Sequence, residues 1–323
     1  MKPEIKQFNT MVGGKPITFE TGRLASLAGG SVTVRYGDTM IFAAATISPD
    51  IRPGIDFFPL TVDYEERMYA GGRIPGSFFR REGRPSEEAI LIARLTDRPL
   101  RPLFPKDMRN DVQVILYSFS VDGENPIDIL AINAASAALM ISDAPWGGPV
   151  AAVRVGRING QLVINPTISE QETSDLDLRL AGTRDAILMV ECGAKEVPES
   201  VMVEALNFGH QSLQPLIDTM EQMAGDIGKA KITYTPFVTS EPILSQVNQN
   251  AAGRIDAIFE KGGKKAEINE AVKALEAEIV TSLTSDDAAV VEEVKKAFDD
   301  TFKHVVRQRI LEQGKRPDGR STT

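Results

Sequence analysis

The chain has little with which to carry out covalent chemistry. Of its 323 residues one is cysteine and two are histidine. A single thiol, Cys192, excludes an internal disulfide framework and fits a reducing compartment. His210 and His304 lie far apart in the sequence, so neither a zinc site nor a Ser-His-Asp arrangement is readable. Both read as structural or solvent-facing histidines, and Cys192 as a packed or surface thiol. Long hydrophobic runs are also missing. The most apolar helical window, residues 126–141, contains Asp128, Asn133 and Ser136 and is too short and polar to span a bilayer. The N-terminus places Lys2, Glu4 and Lys6 before polar residues, so no signal peptide is read there. These absences predict a soluble, cytoplasmic protein with no membrane partner. Gly29-Gly30-Ser31 lacks the Lys-Ser/Thr of a phosphate-binding loop and precedes a strand, so it reads as a hairpin turn. Carboxylates are plentiful, but Asp175, Asp177, Asp286, Asp287, Asp299 and Asp300 show no metal-ligand spacing.

What is present is an uneven distribution of charge. The net charge is −9, which argues against a general polyanion binder. Between Arg67 and Arg109, however, stand nine arginines and one lysine against five acids. That stretch carries about +5 within an acidic chain. Aromatics crowd there too: Phe57, Phe58, Tyr64, Tyr69, Phe78 and Phe79 fall close together. At the centre lies Ser77-Phe78-Phe79-Arg80-Arg81. Two aromatic faces and two guanidinium groups within about 15 Å of extended chain suit a single-stranded nucleic acid gripped without sequence readout. The bland alternative tucks the phenylalanines into the core and leaves the arginines solvated. Arg94, Arg98 and Arg101 likewise allow two readings: phosphate binding by guanidinium forks, or internal pairing with Asp97, Glu87 or Glu88.

Hydrophobic periodicity and turn residues predict strands at 15–20, 31–36 and 40–47, with Tyr36-Gly37-Asp38 as a turn. Residues 48–84 read as irregular. A helix is expected from the N-cap Ser86 to about Arg98, where Pro99 should stop it. Residues 111–121 read as a strand, and Asn125-Pro126 as a cap followed by a first-position proline opening a buried helix. Strands follow at 150–155, 161–164, 177–181 and 187–191, then a helix from 198 to about 227 interrupted at Pro215. After about residue 240 three helices follow, 243–260, 264–283 and 286–311. The last carries one apolar stripe of Val291, Val294, Phe298, Phe302 and Val305. The fold class is therefore α+β, followed by a small all-α module. Composition and spacing alone stop at that fold, one candidate nucleic-acid loop and no evident catalytic group.

Several stretches, in order, resemble one family. They are Tyr36-Gly37-Asp38-Thr39, the Phe-Phe-Arg-Arg loop, Leu95-Thr96-Asp97-Arg98-Pro99-Leu100-Arg101-Pro102, residues 132–138 (INAASAA), Gly147-Gly148-Pro149-Val150 and Asn207-Phe208-Gly209-His210. Together they resemble the N-terminal half of the bacterial polynucleotide phosphorylases (polyribonucleotide nucleotidyltransferases), across essentially the whole chain. The resemblance implies a first RNase PH-like domain, mixed sheets with packed helices, over 1–240. It implies an all-helical domain over 241–311, and the start of a second RNase PH-like domain at 312–323, where Arg316-Pro317-Asp318-Gly319-Arg320 would open it. It implies a phosphorolytic 3′-to-5′ exoribonuclease that takes single-stranded RNA and inorganic phosphate to nucleoside diphosphates. It further implies magnesium, a homotrimeric ring and RNA-degradosome proteins as candidate partners. The catalytic and magnesium-binding groups are expected outside this chain. Phe78, Phe79, Arg80 and Arg81 are expected to hold RNA at the channel mouth, with Arg94, Arg98 and Arg101 near its path. In isolation the chain would then be a non-catalytic RNA-binding or oligomerisation module.

Overall fold

A computed structural model describes residues 4–52, 54–55, 57–76, 82–283 and 288–322. The chain forms two compact units, Met1–Pro236 and Phe237–Thr323. The first unit opens with a four-strand antiparallel meander: β1 (Lys6–Val12), β2 (Lys15–Thr21), β3 (Gly30–Tyr36) and β4 (Thr39–Ile47). β5 (Leu60–Glu65) and β6 (Val112–Ser120) complete the sheet in the order β1-β2-β3-β4-β6-β5. β5 runs parallel to β6, which requires a crossover, and α1 (Glu87–Leu100) supplies it. β1 lies in a stretch that local patterning left unassigned, and β5 falls within residues 48–84, whose expected irregular structure it corrects. β5 is only six residues long and its partner is β6, far along the chain, so its signal is not local.

Ser86 caps α1, its hydroxyl accepting from the Ala89 N–H at 3.0 Å, and Glu87 and Glu88 sit favourably in the first turn. The helix does not stop before Pro99. It runs to Leu100 and continues into a 3-10 turn, Arg101–Leu103. The proline removes one hydrogen bond near the helix end. The next turn resumes with the Arg101 N–H on the Asp97 carbonyl, while Pro99 and Leu100 stay buried.

A second sheet contains β7 (Ala151–Ile158), β8 (Gln161–Ile164), β9 (Leu176–Gly182) and β10 (Ile187–Ala194), all antiparallel, in the order β10-β9-β7-β8. Between the sheets runs α2 (Ile127–Ile141), in which every residue except Ile127 and Met140 is buried. Pro126, not Asn125, occupies its N-cap, because the Asn125 side chain is taken by Asp122 and Lys15 instead. Small residues let α2 lie close to the first sheet. A Cβ on Gly30 would stand 2.2 Å from the Ala138 carbonyl oxygen, so Gly29-Gly30 marks a close helix–strand approach rather than a hairpin turn. The polar members of 132–138 have backbone partners on the other side. Asn133 exchanges two hydrogen bonds with Ala152 of β7, and Ser136 accepts from the Val150 N–H. At the C-terminus of α2 the Lys231 ammonium donates to the Leu139, Met140 and Ser142 carbonyls at 3.1, 3.0 and 2.7 Å. A short α3 (Ile168–Gln171) and the pair α4 (Glu199–Ser212) and α5 (Gln214–Ile227) complete the unit. The expected interruption near Pro215 is a full break at Leu213.

The second unit is α6 (Glu241–Lys261), α7 (Lys265–Leu283) and α8 (Ala288–Gln313). Its core joins Val247, Ala251 and Ile255 to Leu275 and Ile279, and to Val294, Ala297, Phe298 and Val305. Val291 and Phe302 of the expected stripe are only half-buried, and Phe302 packs on the core's margin. Buried Arg309 bonds Asp256 and Glu260 of α6. Lys315 bonds the same Glu260 at 2.9 Å, tying the following turn to α6. Among the described residues no helix is long and apolar enough to cross a membrane.

Candidate nucleic-acid interface

A cleft of about 1210 Å³ opens in the first unit where α1, the segment 66–73, the end of β6 and the second sheet converge. Six arginines line it: Arg67, Arg73, Arg94, Arg98, Arg154 and Arg179. Six acids face them, so the lining among the described residues is formally neutral. The charges are nevertheless separated in space.

The floor is paired off. Asp128 in the first turn of α2 accepts from Arg154 at 3.3 Å and from Arg179 at 2.7 Å. Arg154 also forks onto Asp177 at 2.6 and 2.8 Å. Arg179 reaches Glu191 at 3.6 Å, and Glu191 in turn accepts from Arg98 at 3.2 Å. Burial alone would raise the Asp177 carboxyl, but the Arg154 fork and the nearby Arg179 hold it below the usual range. Asp128, Asp177 and Glu191 are therefore all occupied by guanidinium groups. Among the described residues no cluster of three or more His, Cys, Asp or Glu side chains could hold a metal ion.

The far end of the cleft is closed by a turn. Asp122 accepts from the Glu124 and Asn125 N–H groups at 2.8 Å, from the Asn125 amide at 2.6 Å and from the Asp38 N–H at 3.1 Å. Gly37 sits at φ +62°, and a Cβ there would meet the Asn125 amide at 2.4 Å. Tyr36-Gly37-Asp38-Thr39 thus serves as the seat of the β6–α2 turn, a role that local sequence does not announce.

The rim toward α1 is different. Arg73 and Arg94 are exposed and make no ion pair with any described residue. Arg98 shares the cleft with Arg94, one helical turn away, and is half-exposed while bonded to Glu191. Arg101 turns away. It forks onto Asp97 at 2.9 and 2.6 Å, four residues back on the continuing helix, and donates to the Phe58 and Leu60 carbonyls. It lines a neighbouring groove of about 700 Å³ between β5 and α1, where Arg94 and Arg98 also lie. Phe78, Phe79, Arg80 and Arg81 fall outside the described residues. Their described successor Glu82 lies on the cleft. Sequence reasoning missed Arg154, Arg179, Asp128 and Glu191. The available signal was a charged residue in the middle of an apolar strand, as in Ala152-Val153-Arg154-Val155, since such a charge requires a partner. His210 bonds the Thr183 carbonyl at 3.0 Å. Cys192 is exposed on β10, and burial of its sulfur together with Asp177 pushes its thiol up, away from thiolate chemistry.

Comparison with known proteins decides what this unit is. The 3′ exoribonuclease family matches residues 13–145 (domain 1) and 148–212 (domain 2), and the polyribonucleotide nucleotidyltransferase RNA binding domain matches 242–321. The polyribonucleotide nucleotidyltransferase of Chloroflexus aurantiacus is 48% identical over 315 residues, spanning 96% of this chain and 42% of that protein. The protein of that name from Thermus thermophilus is 46% identical over 336 residues, spanning 98% and 45%.

The chain belongs to the polyribonucleotide nucleotidyltransferase family.

It spans less than half the length of these curated relatives. Among solved structures, rice (Oryza sativa) Rrp46 superposes with a TM-score of 0.52 at 16% identity, covering 69% of this chain and 96% of that one. An Archaeoglobus fulgidus exosome with RNA bound to the active site gives 0.50 at 17% identity, covering 67% and 87%. At such identities the likeness speaks to fold, and the α+β, RNase PH-like architecture of this chain agrees with it.

Proposed function

We propose that this chain is the RNA-channel and assembly half of a phosphorolytic 3′-to-5′ exoribonuclease. The whole enzyme takes single-stranded RNA and inorganic phosphate, and phosphate attack at the 3′-terminal phosphodiester releases a nucleoside diphosphate. One observation carries the assignment to this half. The acids on the cleft floor are neutralised by Arg154 and Arg179, while Arg73 and Arg94, on the rim beside the chain that leads to residues 77–81, make no ion pair with any described residue. Such a surface can attract a polyanion, and the acids on its floor are already occupied by guanidinium groups. Phe78 and Phe79 stack on bases, at about 1–3 kcal/mol per base. Arg80 and Arg81 bind phosphates, and Arg94 and Arg98 follow the RNA path, with Arg94 the most available; Arg101, expected beside them, is instead engaged by Asp97 and two carbonyls. Residues 1–240 form the first RNase PH-like domain, 241–311 the all-helical domain, and 312–323 begin a second RNase PH-like domain. Magnesium is expected of the whole enzyme with ligands outside this chain; among the described residues no cluster of three or more His, Cys, Asp or Glu side chains could hold a metal ion. A homotrimer, RNA-degradosome partners and a cytoplasmic location complete the reading.

The neutralised floor also favours a second statement: alone, this chain is a non-catalytic RNA-binding or oligomerisation module. Titrating a fluorescent oligoadenylate into the 323-residue chain, with phosphate and magnesium present, tests both. Binding without nucleoside diphosphate release is the expected result. Release at the rate of a full-length relative would place the chemistry here and overturn the assignment.

A further inference from the structure

A single residue, Met68, meets the chain on both sides of residues 77–81. Its carbonyl accepts from the Arg73 N–H at 2.9 Å, and its own N–H donates to Glu82 Oε1 at 2.7 Å. The chain on either side is therefore tied to the same residue, by the Arg73 backbone and by the Glu82 side chain. The second Glu82 oxygen accepts from Arg67 at 3.1 Å. Arg67 lies 4.7 Å over the Tyr117 ring, pairs also with Glu65, and donates its backbone N–H to Ser118 Oγ at 3.1 Å. Tyr117 and Ser118 belong to β6, which is hydrogen-bonded on both sides within the sheet. The anchor thus runs from Glu82 through Arg67 to rigid strand. Four residues further on, Ser86 donates to Glu66 at 2.8 Å while capping α1, which secures the return. The Met68 N–H and Arg67 hold the Glu82 carboxyl below its ordinary range, so it is ionised at neutral pH.

That charge has the wrong sign for a direct RNA contact. An acid on a cationic rim repels a polyanion, so its placement calls for another role. We infer that Glu82 is a positioning residue for RNA: with Met68 and Arg67 it sets where the chain bearing Phe78, Phe79, Arg80 and Arg81 leaves and returns beside the 3-10 turn Met68–Gly71. The inference rests on the RNA-binding role proposed above for that loop. Fixing the ends of a segment before ligand arrives lowers the ordering entropy that binding must supply.

The two ideas are separable. Fluorescence anisotropy with labelled oligoadenylate would compare the wild-type chain, Glu82→Ala, Glu82→Gln and Phe78→Ala/Phe79→Ala, across a salt series. Hydrogen exchange of the peptide containing the Met68 amide would be followed in each. Positioning predicts that Glu82→Ala weakens binding by about tenfold with an unchanged salt slope. It also predicts faster exchange at Met68, and substantial rescue by Glu82→Gln, which keeps an acceptor for that N–H. Tighter binding by Glu82→Ala means the acid acts only through its charge, and overturns the inference. So does unchanged exchange at Met68. Loss of binding in the Phe pair with none in Glu82→Ala overturns the positioning role and leaves the loop's role standing. No binding by wild type, or no effect of the Phe pair, overturns the loop's role and the inference with it.

Discussion

Asn133 is the point at which a single amide completes the edge of a strand, and its replacement has a calculable consequence. β8 pairs with β7 only from Val155 to Ile158, so the earlier part of β7 has no strand on that side. Side chains take over. Asn165 serves Arg154, with its Oδ1 accepting at 2.8 Å and its own N–H donating at 2.7 Å. Asn133 serves Ala152, accepting at 2.8 Å and donating at 3.0 Å. Both Asn133 and Ala152 are fully buried. Asn133→Leu removes both bonds and fills the space, so water cannot replace them. Two buried backbone groups are then unpaired, at about 1–3 kcal/mol each. A loss near 3 kcal/mol corresponds to about 6–12 °C in the unfolding midpoint for a unit of this size. Asn133→Ala admits a water and should lose less. Calorimetry and urea unfolding of the three proteins provide the comparison. A Leu variant as stable as wild type, or more stable than the Ala variant, would refute the view that this asparagine acts as a strand edge.

The charge division predicts that Arg94→Ala lowers RNA affinity and makes the logarithmic salt slope shallower by about 0.7. Arg101→Ala, already paired to Asp97, should leave that slope unchanged in the same titration. Asp128→Ala strips the shared partner from Arg154 and Arg179, which keep Asp177 and Glu191, and should destabilise the first unit by about 1.5–3 kcal/mol in urea unfolding. Burial alone would raise the Asp122 carboxyl, but hydrogen bonds from Asn125 and Glu124 hold it well below its ordinary 3.8. Its contribution is therefore complete above about pH 4 and is lost as pH falls through the lowered value. Asp122→Asn should lower stability at pH 7 and flatten the acid limb of the stability–pH profile; parallel profiles for the two proteins would contradict the assignment.

Strands with clear alternation, such as β2, β3 and β4, and the amphipathic helices of the second unit were legible because their signals are local. Side chains on one face of a helix or strand recur at a period set by the backbone itself. The same holds for the Ser86 cap and for the concentration of arginine between 67 and 109. β5 was not legible, because a six-residue strand gains its hydrogen bonds from β6, about fifty residues on. Pro99 misled because a proline's local penalty was outweighed by the burial of Leu100 and by the resumed hydrogen bond at Arg101. Gly29-Gly30 misled because its purpose is an approach by α2, not a turn.

The sequence by itself therefore determined the α+β class, the order of the two units and the place where positive charge gathers. Tertiary structure decided which of those charges are free. Arg94, Arg98 and Arg101 look alike in the sequence. Folding sets Arg101 against Asp97 and two carbonyls, ties Arg98 to Glu191 across the cleft, and leaves Arg94 without an ion pair among the described residues. The reason is physical: a guanidinium's availability depends on what lies within about 4 Å, and in a folded chain most of those neighbours come from distant sequence.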